Sequence, residues 1–210
     1  SFGSEKLTGE QKERAEYGSR HLSTVFSQVQ PPFNNVELQH VAIQIIAETG
    51  NLKDLIEENN TKKKNDSSKM KNKGYGFIQS TWPEGHARSG GCATVVKNNP
   101  PPTVLSEEKL AKARPLKIVA DKPAQAFSEK TESGRHLNAV SAACYFIDGR
   151  KRFKSFKAAL KDPNGLKRVS QGINGGFGTV GGKLEPNGMD NREAAERKVK
   201  KKGCFNTVNI

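Results

Sequence analysis

Apolar residues recur at helical spacing along most of the chain. Leu22, Val25, Phe26 and Val29 stand at i, i+3, i+4 and i+7, one stripe of a helix predicted over residues 5–29. Pro31 and Pro32 end it. The next predicted helix, Val36 to Glu48, has Val41, Ile45 and Glu48 on one side. Leu38, Ala42, Ile43 and Ile46 then leave it apolar almost all round. A helix of that kind belongs in a core, and Gly50-Asn51 supplies its stop. Further helices are predicted at 106–113, at 136–147 (Leu137, Val140, Ala143, Cys144, Ile147), at 153–160 and at 163–172, the last with Leu166, Val169 and Ile173 inward. A charged helix over 190–202 closes the series.

The segments between carry little periodicity. Residues 59–73 are polar and lysine-rich and read as a mobile loop, and 97–103, with Pro100, Pro101 and Pro102, reads as a second one. A short apolar segment runs from Tyr75 to Trp82 and is closed by Pro83. The glycine-rich run 172–188 reads as an irregular loop. No repeat is found. The pattern describes one mainly α domain over 1–210 with long loops, residues 1–35 forming a helical N-terminal extension.

Composition narrows this picture. Hydrophobic residues make up 33% and aromatic residues 7%, low for a globular chain but outside the disordered range, which implies a modest core. Lys and Arg outnumber Asp and Glu by 35 to 22, for a formal charge of +13. Such an excess attracts polyanions or simply solvates the surface. Cys92, Cys144 and Cys204 lack the paired spacing of a zinc site, and one disulfide plus a thiol, or three thiols, both remain open. His21, His40, His86 and His136 are scattered and read as surface or capping residues, so no metal is expected. No apolar run approaches the roughly 20 residues of a membrane span. The chain opens at Ser1 without Met or a signal-peptide core, as after removal of a leader or from an expression scar.

Three local patterns carry candidate chemistry. They are Ala47-Glu48-Thr49-Gly50 followed by Glu57-Glu58-Asn59, then Gly74 to Trp82 (GYGFIQSTW), then Ile173-Asn174-Gly175-Gly176 followed by Asp190-Asn191-Arg192. Glu48 closes an apolar helix, where partial desolvation favours the protonated form and suits proton donation. Glu57 and Glu58 lie in a polar stretch where a carboxylate stays ionised and can act as a base. Inverting hydrolysis of a glycosidic bond needs such a pair about 6.5 to 9.5 Å apart. Ten residues of straight helix would separate Glu48 from Glu58 by about 15 Å, so the break at Gly50 is needed to fold the chain back.

In this order the motifs resemble those of family-19 glycosidases, a group that includes plant chitinases and phage endolysins. The resemblance spans roughly residues 36–200. It rests on the E-T-G step with E-N, on Gly76-Phe77-Ile78-Gln79-Ser80-Thr81, on the helix AVSAACYFI (139–147), on I-N-G-G and on the Asp190–Arg192 step. It implies a lysozyme-like, two-lobed helical domain with a substrate cleft, acting as a monomer. Glu48 would be the general acid and Glu58 the base, with Glu57 as the alternative base. Thr81 would hold the attacking water, and Gln79 would line the sugar subsites. Asn174 would bond an N-acetyl or hydroxyl group, and Arg192 would pair with a catalytic carboxylate. Tyr75, Trp82 and Phe177 would offer aromatic faces. A cysteine like Cys204 joins a disulfide in some relatives. Ala47 stands where the family usually has histidine, and Tyr75 where it has arginine.

The implied substrate is chitin or another N-acetylglucosamine polymer, with peptidoglycan second. No cofactor is implied, because side chains carry both proton transfers. The implied setting is secreted or cell-wall associated, with the basic surface facing an anionic wall. Two other readings exist. One is an inactive sugar-binding relative. The other is an RNA-binding protein, since Lys73-Gly74-Tyr75-Gly76-Phe77-Ile78 matches most of an RNA-recognition pattern, although Ser80 replaces its last aromatic residue.

Overall fold

Thr8 starts the first helix by a capping box: its hydroxyl accepts from the Gln11 amide while the Gln11 side chain bonds back to the Thr8 amide. Asn34 and Glu37 repeat the device at the second helix. The computed structural model describes residues 7–56, 73–175 and 188–201. Glu57, Glu58, Phe177, Cys204 and nearly all of the predicted loop at 59–73 lie outside the described residues.

The chain is mainly α-helical. The described elements are α1 (Gly9–Gln28), β1 (Val29–Gln30), α2 (Asn35–Glu48), α3 (Pro83–Asn98), β2 (Leu105–Ser106), α4 (Glu107–Ala111), α5 (Lys117–Asp121), α6 (Pro123–Ala126), α7 (Glu132–Arg152), α8 (Lys154–Lys161), α9 (Leu166–Gly175) and α10 (Met189–Lys201). The two short strands pair in parallel, Val29 with Leu105 and Gln30 with Ser106. No described helix is long and apolar enough to cross a membrane.

α7 is the axis of the larger core. Leu137, Ala139, Val140, Ala142, Ala143, Phe146 and Ile147 are all buried, so the helix is covered on nearly every side, and α1, α3, α4 and α8 pack around it. α1, expected as an extension, contributes Tyr17 and Val25 to this core. A smaller cluster joins Ile43 and Ile46 of α2 to Leu166 of α9 and to Ala195 and Val199 of α10. α2 therefore lies between two apolar clusters, with Val41 and Ile45 in the first and Ile43 and Ile46 in the second. That placement explains its all-round apolar sequence.

Several sequence expectations are corrected. α3 was not predicted, because Gly85, Gly90 and Gly91 and the β-branched run Thr94-Val95-Val96 all lower helix propensity. Packing requires the small residues: a Cβ on Gly91 would sit 2.2 Å from the carbonyl oxygen of Arg114. The segment 97–103 is not a mobile loop. α3 runs through Asn98, and the buried Gln28 amide donates to the carbonyls of Asn99 (2.6 Å) and Thr103 (3.0 Å). Residues 172–175, expected in a loop, form the last turn of α9. The histidines are not surface residues. His40 and His86 are buried, and half-buried His21 and His136 meet with their Nδ1 atoms 3.4 Å apart.

Cys92 of α3 and Cys144 of α7 form a disulfide across a sequence separation of 52. Closing a loop of that length restricts the unfolded chain by roughly 4 kcal/mol in the chain-entropy model. Urea unfolding of the full chain with and without reductant is expected to show a stability loss of about 2–4 kcal/mol on reduction.

Candidate active site

Glu48 is the last residue of α2, and the chain reverses directly after it. Thr49 organises the reversal. Its hydroxyl donates to the Ile45 carbonyl (2.6 Å) and accepts from the Leu52 amide (2.9 Å), while its carbonyl accepts from the amides of Lys53 (2.8 Å) and Asp54 (3.0 Å). Gly50, Asn51 and Leu52 all adopt positive φ, at 54°, 63° and 66°. A leucine rarely takes that conformation. Here burial of its side chain in the core holds it. α1 pins the same turn from outside, as Gln11 Nε2 donates to the Asn51 carbonyl (3.0 Å) and Arg14 Nη1 to that of Leu52 (3.0 Å).

The reversed chain meets the Tyr75–Ser80 hairpin. Tyr75 and Ser80 exchange backbone hydrogen bonds of 3.0 and 2.9 Å, and the Gly76 amide donates to the Leu55 carbonyl (2.9 Å). Gln79 was expected to line sugar subsites. Its amide nitrogen instead bonds the carbonyls of Asp54 (3.0 Å) and Gly76 (3.3 Å), tying the hairpin to the turn behind Glu48. Tyr75 is corrected as a sugar-facing residue. It is 5% exposed, stacked on Phe127 and edge-on to His86. Phe77 is 1% exposed, so the two rings an RNA-recognition surface would use for stacking are buried. Thr81 and Trp82 are on the surface, Trp82 with 59% of its area exposed.

Three of the predicted site residues, from three separate helices, come together. Arg192 of α10 is buried, and its Nη2 donates to Glu48 Oε1 and to Asn174 Oδ1 (3.0 Å). The Glu48 side chain is 18% exposed. Burial pulls the guanidinium's pKa down, and the charge of Glu48 opposes that pull. Arg192 Nε donates to Gln44 Oε1 (2.9 Å), and Gln44 Nε2 donates to Ser170 Oγ (3.0 Å). Tyr145 of α7 reaches the Ile173 carbonyl (3.4 Å). Burial, and then the charges of Glu48 and Asp148, push its phenol pKa up, so it keeps its proton.

Gln44, Ser170 and Tyr145 were absent from the sequence-based site. The signal for Gln44 was present, an amide set between Ile43 and Ile45 in an apolar helix and one turn before Glu48. Tyr145 also lines an open cavity of about 190 Å³ with Arg88, Asp148, Arg152 and Phe153. Among the described residues, no group of three or more His, Cys, Asp or Glu could hold a metal ion.

Fold and site together define a mainly helical domain with a partly exposed carboxylate anchored by a buried arginine at the end of a core helix. Compared with family models, with curated proteins and with solved structures, the chain matches none.

Arg14, which pins the turn behind Glu48, is itself held by Glu129 through bonds of 2.9 and 2.7 Å, and Tyr17 OH donates to the same carboxylate (2.9 Å). Burial pushes the Glu129 carboxyl up, but the hydrogen bonds from Arg14 and Tyr17 and the charges of Arg14 and Arg135 outweigh it and hold it low. A carboxyl held low only in the folded chain adds stability above the ordinary glutamate range and loses it as pH falls toward the folded value. In denaturant titrations from neutral to acid pH, wild type should exceed Glu129→Gln in stability at neutral pH. The gap should close on the acid side.

Proposed function

We propose that the chain is an endo-acting glycosidase that hydrolyses β-1,4-linked N-acetylglucosamine polymers with inversion, chitin first and peptidoglycan second. The reading is carried by one observation: Glu48, partly exposed at the end of a buried helix, bonded to a buried arginine that also holds Asn174. On this reading the domain is lysozyme-like, with two lobes and a cleft that Glu48 faces.

Proton transfer from Glu48 to the glycosidic oxygen breaks the C1–O bond and leaves a carboxylate. Arg192 is already in place for that developing charge, and a preorganised donor stabilises it without reorganisation cost. A water attacking the opposite face of the sugar gives its proton to a second carboxylate. The resemblance assigns that base to Glu58, with Glu57 as the alternative, and the water-holding hydroxyl to Thr81. The acceptor end of the Asn174 amide is engaged by Arg192. The resemblance assigns Asn174 to an N-acetyl or hydroxyl group of the sugar. Trp82 offers an exposed aromatic face.

The test is release of soluble products from chitin oligomers and from purified peptidoglycan, with Glu48→Gln as control. General acid catalysis contributes on the order of 10²–10⁴ in rate, so the variant should lose about that factor on the substrate that wild type cleaves. Wild-type inactivity on both substrates would sink the reading.

An anionic wall as working surface is supported by the run 151–168, where Lys151, Arg152, Lys154, Lys157, Lys161, Lys167 and Arg168 face a single acid, Asp162. The Cys92–Cys144 disulfide supports an oxidising, extracytoplasmic setting. Retention of the protein on isolated cell walls is expected to fall steeply as salt is raised. Salt-independent retention would argue against the charged surface.

A further inference from the structure

The guanidinium that holds Glu48 stands at one end of a chain of hydrogen bonds whose direction is fixed throughout. Arginine only donates, so the Gln44 oxygen must face Arg192 Nε, where it lies at 2.9 Å. The Gln44 amide nitrogen is thereby turned to Ser170 Oγ at 3.0 Å. The serine hydroxyl, having accepted, donates to the Leu166 carbonyl at 2.8 Å. A carbonyl only accepts, so the other end is fixed too. Gln44 and Ser170 have no exposed surface, so a donor or acceptor left unmet there would have no water to turn to. Reversing any member would face donor with donor or acceptor with acceptor, at about 1–3 kcal/mol per unsatisfied buried group.

We propose that Gln44 and Ser170 are positioning residues of the Glu48 centre, fixing the rotation of the Arg192 guanidinium and through it the Glu48 carboxylate. Neither touches a reacting atom. The proposal rests on Glu48 being the proton donor for its catalytic meaning, but not for its geometric content. Gln44 lies four residues before Glu48, on the same face of α2, so one helical turn sets their spacing. Ser170 lies four residues before Asn174 on α9, so the same relation holds across the gap. The two helices present matched pairs, and Arg192 of α10 bridges both.

The test uses Gln44→Glu, Gln44→Ala and Ser170→Ala in the full chain. A carboxylate at position 44 would draw the guanidinium toward itself and add negative charge beside Glu48. Both effects favour the protonated form of Glu48. Carboxyl ¹³C NMR titration, with the Glu48 signal assigned by its loss in Glu48→Gln, should show its midpoint raised by about one pH unit in Gln44→Glu. The alkaline limb of the pH profile for chito-oligosaccharide hydrolysis should move up with it. Gln44→Ala should lower kcat by roughly ten- to a hundredfold with little change in KM, as expected for a group displaced by a fraction of an ångström to one ångström. Ser170→Ala should do so more weakly.

A purely structural role would lower the melting temperature of Gln44→Ala and Ser170→Ala and leave Glu48 titrating in both of these uncharged variants, and their pH limbs, as in wild type, and that result would overturn the proposal. If the Glu48 titration shifts as expected but wild type cleaves nothing, the positioning network stands and the glycosidase reading alone fails.

Discussion

α2 is held at both ends by arginines taken out of water. At its start, Glu37 receives Arg150 Nη1 at 3.1 Å, and the same guanidinium bonds Glu107 and the carbonyls of Pro31 and Pro32 while lying 3.7 Å over the Phe33 ring. Side chains of Arg150 and Glu37 are each 1% exposed. At its end, Glu48 receives Arg192. The two glutamates are eleven residues apart, which brings them within about 20° around the helix axis. One stripe of an apolar helix thus carries both charges, with Gln44 between them. Deleting one partner of a buried pair costs about 3–5 kcal/mol, although the pair as a whole adds little over an apolar replacement. Its effect is on geometry. Charges that can be satisfied in one arrangement fix the height and rotation of α2 against α7, α4 and α10.

The same constraint explains how residues from distant parts of the chain meet. α10 contributes Arg192 to the site and Ala195 and Val199 to the small apolar cluster. The packing that buries those two residues therefore also delivers the guanidinium. α9 does the same, with Leu166 in the cluster and Asn174 at the site two turns later. Apolar burial supplies most of the free energy. The directional bonds of Arg192 select which rotation of the three helices that energy stabilises.

This division accounts for what was legible in the sequence. α2 and α7 could be read because their periodicity is strong, and Glu48, Asn174 and Arg192 were singled out from three separate motifs. α3 could not, since Gly90 and Gly91 are favourable only once the 114–119 segment lies against them, and that contact is tertiary. Tyr75 looked available because aromatic residues in a glycine-rich segment often are. The hairpin turns it into a pocket with Phe127 and His86 instead. The disulfide was open on spacing alone, because 52 residues of separation carry no local signature. Gln44 was passed over although its position, an amide between Ile43 and Ile45, is costly unless bonded.

The pairing of Glu48 with Arg192 looks at first unsuited to a proton donor, since a guanidinium favours the charged carboxylate. Two features of the site work the other way. The guanidinium is shared, with Gln44 and Asn174 as well as Glu48 accepting from it, so its charge is not spent on one carboxylate. Burial also penalises the ionised pair as a whole. On the proposed reading, Arg192 is most useful after the proton has left, when the carboxylate is fully charged and the sugar has not yet recaptured an oxygen. A lysine at this position would give a charge but not the fork that reaches Glu48, Gln44, Asn174 and the Gly188 carbonyl at once. The planar guanidinium is what lets one residue steady the acid, orient the amide beside it and remain fixed by the helix behind.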